Sequence, residues 1–496
     1  MNFLGIDLGT SAVKLLLMDE KGSVIGTVTK DYPVYYPESG WAEQNPEDWW
    51  EATKAGISEL LRTAGMAGTQ VRSIGLGGQM HGLVLLDRAN QVLMPAMLWC
   101  DQRTQAECDY ITEKLGTELS KYTGNKALAG FTAPKVLWVR RHLPEIFEKI
   151  GHVLLPKDYI RFKLTGEYAT DVSDASGTLF FDVSNRRWSA EMLAMLGLSE
   201  EVLPKCYESY EVTGNITEEA ARSTQLHAGT EVVGGGGDQA CGAVGTGVVD
   251  RGMALVALGT SGVVFACQEK YAVDDENKLH AFCHSNGKWH VMGVMLSASS
   301  CLKWWVEEIF HLDNSGYALL LEEAGKIPPG SEGLIFLPYL MGERTPYSDP
   351  NARGTFIGLT MMHSRAHMTR AILEGVCFGL RDSLEIIREQ NIPAQVIRVS
   401  GGGAKSLLWR QILADIMGLK VEVVNSTDGP AFGAAILAAV GAGIFDTVED
   451  ACNSTIKAVW STEPNQEQVK KYERVYRIYQ GLYRTLKETF TELSSI

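Results

Sequence analysis

The sequence predicts an α/β protein built from two duplicated domains with a cleft between them. Three observations carry this. The stretch from Phe3 to Gly78 alternates short apolar strand candidates with one strong helical pattern, the mark of the α/β class. The tetrapeptide Leu-Gly-Thr-Ser occurs at Leu8–Ser11 and again at Leu258–Ser261, each time between two apolar runs. And 496 residues allow two or three domains at roughly 100–200 residues each.

Phe3–Asp7 reads as an apolar strand that ends in a carboxylate, and Leu8–Ser11 as the turn after it. Val13–Met18 is a second strand, Asp19–Gly22 a hairpin turn and Val24–Thr29 a third strand. Helical spacing follows over Glu47–Arg62, opened by Asn45 as N-cap and Pro46 at the first position. Ser73–Gly78 is a strand running into glycines. The repeat appears at Ala254–Phe265, with its Gly-Thr step 250 residues after the first (259 − 9). The boundary falls near Gly245–Asp250, so the expected domains are 1–246 and 247–450, with a helical extension at 451–496. In that extension Val469, Tyr472, Val475, Tyr476, Tyr479, Leu482, Tyr483, Leu486, Phe490 and Leu493 recur at helical spacing, a stripe that packs on the body or on a second subunit, which leaves a homodimer open.

Composition excludes several classes. The formal charge is −15 and no stretch is a basic run, which argues against a nucleic-acid or anionic-membrane partner. The longest uncharged apolar run, Ala431–Phe445, is too short to span a bilayer and reads as a buried helix. The N-terminus has neither the basic nor the apolar part of a signal peptide. Nine scattered cysteines without a Cys-x-x-Cys fit reduced thiols, so the expected location is the cytoplasm.

Neither a Walker nor a Rossmann glycine motif is present. Yet glycine is about 10% of the chain, 51 of 496, against a usual ~7%. The glycines cluster at Gly5/Gly9, Gly75–Gly78, Gly234–Gly237 and Gly401–Gly403, each after an apolar run, where backbone N–H groups can approach phosphate or sugar. Two carboxylates stand at such exits. Asp7 precedes the first Gly-Thr turn, and Asp238 follows Gly237. Each alone reads equally as a turn former or N-cap. Together with the repeated turn they read as a carboxylate that holds Mg²⁺ and a carboxylate that takes a proton from an attacking hydroxyl. Gln79-Met80-His81 between glycines, and Trp99, Asp101 and Arg103 further on, offer polar groups and an aromatic face to a sugar.

These residues resemble the FGGY carbohydrate kinase family, within the hexokinase/actin/Hsp70 superfamily. Gly5–Ser11 resembles the first phosphate motif, Leu258–Gly262 the second and Ser400–Ala404 the adenosine motif. Gly130–Trp138 and Gly354–Glu374 resemble the family signatures. Gly78–Gly82, Leu155–Tyr159 and Gly342–Pro346 carry a narrower match to its xylulose-phosphorylating branch. The resemblance implies two ribonuclease H-like domains, with sugar binding and the first phosphate turn in the N-terminal one and nucleotide binding in the C-terminal one. It implies ATP and Mg²⁺ as cofactors and transfer of the γ-phosphate to the terminal hydroxyl of a ketopentose, D-xylulose first. Asp238 would be the general base and Asp7 the organiser of Mg²⁺. Met80, His81, Asp238, Gln239, Trp99 and Asp101 would bind the sugar. Thr10, Ser11, Lys14, Gly259 and Thr260 would lie at the phosphates, and Gly402 and Gly403 at the adenosine. Many members carry Asn where Gln239 stands. Another ketose or a polyol on the same scaffold is the nearer alternative; an actin- or Hsp70-like ATPase is the farther one, and the Gln79–His81 and Trp99/Asp101 segments count against it.

Overall fold

The computed structural model describes residues 1–426 and 428–496. Its first sheet grows from the apolar N-terminal run. Strand β1 (Asn2–Leu8) turns back through Gly9–Ser11 into β2 (Ala12–Asp19). Asp19 closes the next turn by accepting from the N–H groups of Lys21 and Ser23, and β3 (Val24–Asp31) follows. Helix α1 (Pro46–Ala64) starts where expected: the Asn45 side chain accepts from the Glu47 N–H, and Pro46 occupies a position whose N–H would have no helical partner. Strand β4 (Val71–Gly78) then lies parallel to β1. A long insertion carrying α2 (Thr132–His142) and α3 (Pro156–Thr165) leads to β5 (Val212–Asn215), β6 (Glu231–Val233) and the short β7 (Gly236–Gly237). The strand order is β5-β6-β4-β1-β2-β3, with β7 beside β4.

Helix α4 (Asp238–Gly245) crosses to a second sheet of β8 (Gly252–Leu258), β9 (Gly262–Gln268), β10 (His280–Cys283), β11 (Trp289–Met295), β12 (Ala394–Ser400), β13 (Lys420–Val424) and β14 (Ala458–Thr462). Its order is β10-β11-β9-β8-β12-β13-β14. The wiring repeats. β1-β2-β3 and β8-β9-β11 are antiparallel meanders, and β4 and β6 extend the first in parallel as β12 and β13 extend the second. The duplication suggested by one tetrapeptide therefore extends to five strands in each half. Helix α5 (Arg365–Glu389) covers the second sheet.

Several of the glycines have a role that the sequence did not suggest. Helix α6 (Gly429–Gly441), the expected buried apolar segment, lies against β1 and β4 of the first sheet. A Cβ on Gly5 would stand 1.9 Å from the Ala431 carbonyl oxygen, and one on Gly75 1.9 Å from that of Ala434. Where α6 crosses α4, a Cβ on Gly433 would meet the Cys241 oxygen at 1.9 Å. These glycines let backbones touch across the two halves; they do not open toward a ligand. Gly75→Ala is accordingly expected to destabilise the fold by roughly 3 kcal/mol, the upper range of overpacking. Gly402→Ala, whose Cβ meets nothing within 4 Å, is expected to leave stability unchanged. Melting curves of the two variants check this.

The aromatic stripe lies on helix α7 (Gln466–Leu493), and its buried side chains pack on the second half of the chain. Tyr472 donates to Glu374 at 2.7 Å, Tyr476 to Asp382 at 2.7 Å and Tyr483 to Asp349 at 2.8 Å. The nine cysteines are free thiols. Among the described residues, no helix is long and apolar enough to cross a membrane.

Candidate active site

The two Gly-Thr-Ser turns face one cavity. Thr10 from the first and Ser261 from the second both line it, together with Met80, His81, Trp99, Phe131, Asp238, Gln239 and Arg344. Its volume is about 210 Å³. That is below the ~300–1,000 Å³ typical of drug-sized ligands, so it suits a small occupant. Trp99, Leu128 and Arg344 also border a wider cleft of about 1450 Å³, onto which the cavity opens.

Strand β1 delivers Asp7 and helix α4 delivers Asp238. The Asp7 carboxyl is raised to about 7 by burial first and then by repulsion from Asp238, while Lys14 opposes the shift. Its Oδ1 is buried with no hydrogen-bond partner among the described residues. Asp238 is the first residue of its helix, with Gly237 as the N-cap. Its carboxyl is raised to about 6 by burial, against the Gln239 side chain and N–H that bond to its charged form. Two carboxylates that repel each other in a partly desolvated site are costly, and such arrangements mark functional sites.

A buried network holds Asp238 from behind. The Gly237 N–H donates to Ser173 Oγ at 3.1 Å, and Ser173 donates to Asp171 at 2.6 Å. Lys157 Nζ lies 2.9 Å from Asp171, 2.6 Å from Asp158 and 3.3 Å from Asp174, and all four side chains are fully buried. Three carboxylates hold the Lys157 ammonium well above the usual lysine range despite the cost of burial. The Lys157 Cβ also packs against Gly78, just before Met80 and His81. The segment Leu155–Tyr159 thus supports both strand ends that feed the cavity.

Beside Asp238, Met80 is buried against Gly237. His81 has a left-handed backbone, φ 69°. Its carbonyl accepts from Lys135 Nζ at 2.9 Å and Thr132 Oγ1 at 3.1 Å. Its Nδ1 is 2.6 Å from the Gly177 carbonyl oxygen, which can only accept, so Nδ1 carries the proton. Burial lowers the imidazole to about 3, so His81 is neutral and Nε2 is left as an acceptor. The Trp99 indole, half-exposed, donates to Thr10 Oγ1 at 2.9 Å and ties this wall of the cavity to the first Gly-Thr-Ser turn.

Some expected residues lie elsewhere. Asp101 does not line the cavity. It is fully buried, paired with Arg103 at 2.6 Å and accepting from the Ala42 N–H at 2.8 Å, and Arg103 in turn stacks 3.5 Å over Trp41. A charged fork beside an aromatic ring looks the same in sequence whether it holds a sugar or closes on itself. Gln79 likewise turns inward, donating to Gln44 at 3.0 Å, and Gln44 donates to the Thr10 carbonyl at 2.7 Å. Lys14 forms an ion pair with Asp428 at 2.8 Å across the two halves, beside Asp7. Ser11 is exposed on the turn and does not line the cavity.

The second turn and the third glycine cluster meet at the end of β8. Gly401 packs against Leu258 and Gly259, and Gly403 against Leu258, while Gly402 faces open space. Thr260 is exposed, with its carbonyl accepting from the Ala298 N–H at 2.9 Å. Gly259, Thr260 and Gly402 are therefore accessible backbone at this end of β8, with Gly403 buried behind them.

Sequence reasoning missed Phe131, Val263, Met292, Val294 and Arg344 as cavity residues. Phe131 and Arg344 sit inside motifs that the sequence singled out without giving these side chains a role. Val263, Met292 and Val294 carry no signal beyond strand-like apolarity.

A divalent cation fits the Asp7 end. The orphaned Oδ1 is a buried acceptor, and positive charge there would relieve the Asp7–Asp238 repulsion. Among the described residues no group of three or more His, Cys, Asp or Glu side chains forms a metal cage. This suits Mg²⁺, which is commonly held by one or two carboxylates, water and substrate phosphates.

Comparisons with known proteins agree with this geometry. The model for the FGGY family of carbohydrate kinases, N-terminal domain, matches residues 2–245, and that for its C-terminal domain matches residues 254–442. A xylulose kinase of Bacillus subtilis (strain 168) is 40% identical over 493 residues, covering 99% of this chain and 98% of that protein. The crystal structure of a xyloylose kinase from Brucella ovis superposes with a TM-score of 0.92 at 39% identity, covering 99% of this chain and 100% of the other. That of a gluconate kinase from Lactobacillus acidophilus gives a TM-score of 0.94 at 26% identity, covering 99% of both chains. With both family domains matched, the two sheets wired alike and the Asp238 carboxylate in a cavity that both turns line, the chain belongs to the FGGY family of carbohydrate kinases and is an ATP-dependent carbohydrate kinase.

Proposed function

We propose that the chain phosphorylates a ketopentose, D-xylulose, at its terminal hydroxyl, giving D-xylulose 5-phosphate and ADP, with Asp238 as general base. The observation that carries this reading is the Asp238 carboxylate lining a small cavity beside both Gly-Thr-Ser turns. With its pKa near 6, Asp238 is ionised at neutral pH yet basic enough to take the hydroxyl proton. As the sugar oxygen bonds to the γ-phosphorus, the bond from that phosphorus to the β–γ bridging oxygen breaks, ADP leaves and the proton passes to Asp238.

Phosphoryl transfer asks the protein mainly for position and charge stabilisation. Met80, His81, Gln239 and Trp99 line the sugar's side of the cavity, where His81 Nε2 accepts a hydroxyl proton and Trp99 covers a C–H face. Thr10, Ser11, Lys14, Gly259 and Thr260 supply donors to the phosphates, and the open backbone at Gly402, with the buried Gly403 behind it, takes the adenosine. Asp7 holds Mg²⁺, which when bound neutralises charge developing on the phosphates. Residues 1–246 and 247–450 act as the two jaws, and 451–496 packs on the second of them. The free thiols and the lack of a membrane-spanning helix among the described residues agree with a cytoplasmic enzyme.

Relatives named for xylulose favour this sugar, while the gluconate kinase shares the scaffold at lower identity. The test is sugar-dependent ADP release across pentuloses, hexuloses, polyols and aldonates. D-xylulose is expected to give the highest kcat/KM. A higher value for another sugar would move the substrate, and ADP release indifferent to every sugar would sink the kinase reading.

A further inference from the structure

The cavity holds a cationic side chain for which the reading above has no task. Arg344 lies in the segment Gly342–Pro346, which approaches from the second half of the chain, and it lines the cavity, the wider cleft and a further pocket of about 140 Å³. Among the described residues it makes no ion pair, although its neighbour Glu343 is a carboxylate. Glu343 is turned away: it accepts from the Leu296 N–H at 3.0 Å and the Arg344 N–H at 2.7 Å, and it is buried. The Arg344 side chain makes no hydrogen bond to any described residue, and its nitrogens are not sealed off from the cavity. A guanidinium carries five N–H donors, and leaving a largely enclosed one without acceptors is costly unless a ligand supplies them.

The other polar groups are matched to hydroxyls. The Asp238 carboxylate and His81 Nε2 are acceptors, and each can take a hydroxyl proton. The Trp99 indole N–H is committed to Thr10, and the Gln239 amide is turned onto Asp238. A polyol could satisfy such a set with hydroxyls alone. A ketose differs at one atom, since its C2 oxygen is a carbonyl and can only accept. Arg344 is the cavity's cationic donor, and it stands at the mouth, whereas Asp238 borders only the inner cavity. A sugar with its terminal hydroxyl at Asp238 presents its other end to Arg344.

We propose that Arg344 is the residue that selects a ketose, its guanidinium donating to the C2 carbonyl oxygen while Asp238 faces the terminal hydroxyl. The proposal deepens the ketopentose reading and rests on it. The contact lies at the end of the sugar remote from the transferred phosphoryl group, so it is made alike in the ground state and the transition state. Its loss therefore acts on KM and leaves kcat nearly intact.

The experiment compares the parent with Arg344→Met and Arg344→Lys, using D-xylulose, xylitol (a hydroxyl at C2) and D-xylonate (a carboxylate). Steady-state kinetics are read for D-xylulose, and affinities for all three by quenching of tryptophan fluorescence. Arg344→Met is expected to raise KM for D-xylulose by about 10- to 100-fold, the span of a lost hydrogen bond to a charged group, and to change kcat by less than about 3-fold. Its affinity for xylitol is expected to move by less than about 3-fold, so that discrimination between ketose and polyol collapses. Arg344→Lys keeps the charge but loses the fork, and a smaller loss in the same direction is expected; it carries the test if Arg344→Met does not fold. An unchanged KM for D-xylulose, or an equal loss for D-xylulose and xylitol, would overturn the proposal. So would D-xylonate binding the parent more tightly than D-xylulose with that preference lost in Arg344→Met, since the guanidinium would then serve a carboxylate. A parent enzyme that phosphorylates no ketose at all would instead sink the substrate reading, a separate outcome.

Discussion

Asp238→Asn is expected to bind the ketose with near-parental affinity and to turn it over about 10²-fold more slowly or worse, the scale of a lost general base. Asparagine keeps the shape of the side chain and its contact with Gln239, so the loss is one of proton acceptance. The same substitution is expected to stabilise the fold, and the sign follows from the titration. The Asp238 carboxyl sits at about 6 in the folded protein against an ordinary 3.8. Its ionised form therefore costs stability, fully above about pH 6 and not at all below the unfolded value. At about pH 8 the variant is expected to melt higher than the parent, by a free energy on the order of 1 kcal/mol or more. A variant that is both slower and more stable separates catalysis from structural damage. Near-parental turnover would remove Asp238 from the role of base.

Asp7→Asn has the second largest expected effect. Asp7 provides a buried carboxylate oxygen with no partner among the described residues, and its carboxyl is raised to about 7 chiefly by burial and then by Asp238. Replacing it removes the charge that would hold Mg²⁺ beside the phosphates. A fall in kcat of roughly 10²–10³-fold is expected, the cost of deleting one electrostatic contributor in a preorganised site. The Mg²⁺ concentration for half-maximal rate should rise as well, and ketose affinity should stay near parental. Titrating Mg²⁺ at saturating ATP and sugar measures both. An unchanged Mg²⁺ dependence would place the cation elsewhere.

How much of this was legible in the sequence depended on the range over which each signal acts. The first hairpin was legible because its determinants are local: alternating apolar residues, an Asp-Glu-Lys-Gly turn, an Asn-Pro helix start. Asp7 and Asp238 stood out because each follows an apolar run beside glycines; in the structure Asp7 lies one residue before the end of β1 and Asp238 opens α4. Gly5 and Gly75 were read as ligand-facing, yet they serve the contact with α6, a segment more than 350 residues away in the chain. Nothing local distinguishes a glycine cleared for a phosphate from one cleared for a helix. Asp101 was misread for a related reason, since its partner Arg103 and the stacking Trp41 satisfy it inside the fold. Val263, Met292, Val294 and Arg344 come to the cavity from the second half, and only the packing of the two halves brings them beside Thr10 and Asp238.

The central claim is that the Asp238 carboxylate receives the hydroxyl proton, and the pH dependence of kcat/KM for the ketose tests it most directly. The account predicts an acid limb, with kcat/KM falling as pH drops through about 6 and Asp238 takes up a proton, the limb disappearing in the residual activity of Asp238→Asn. A parent profile that stays flat from about pH 8 to about pH 5, or an acid limb that persists unchanged in Asp238→Asn, would contradict it.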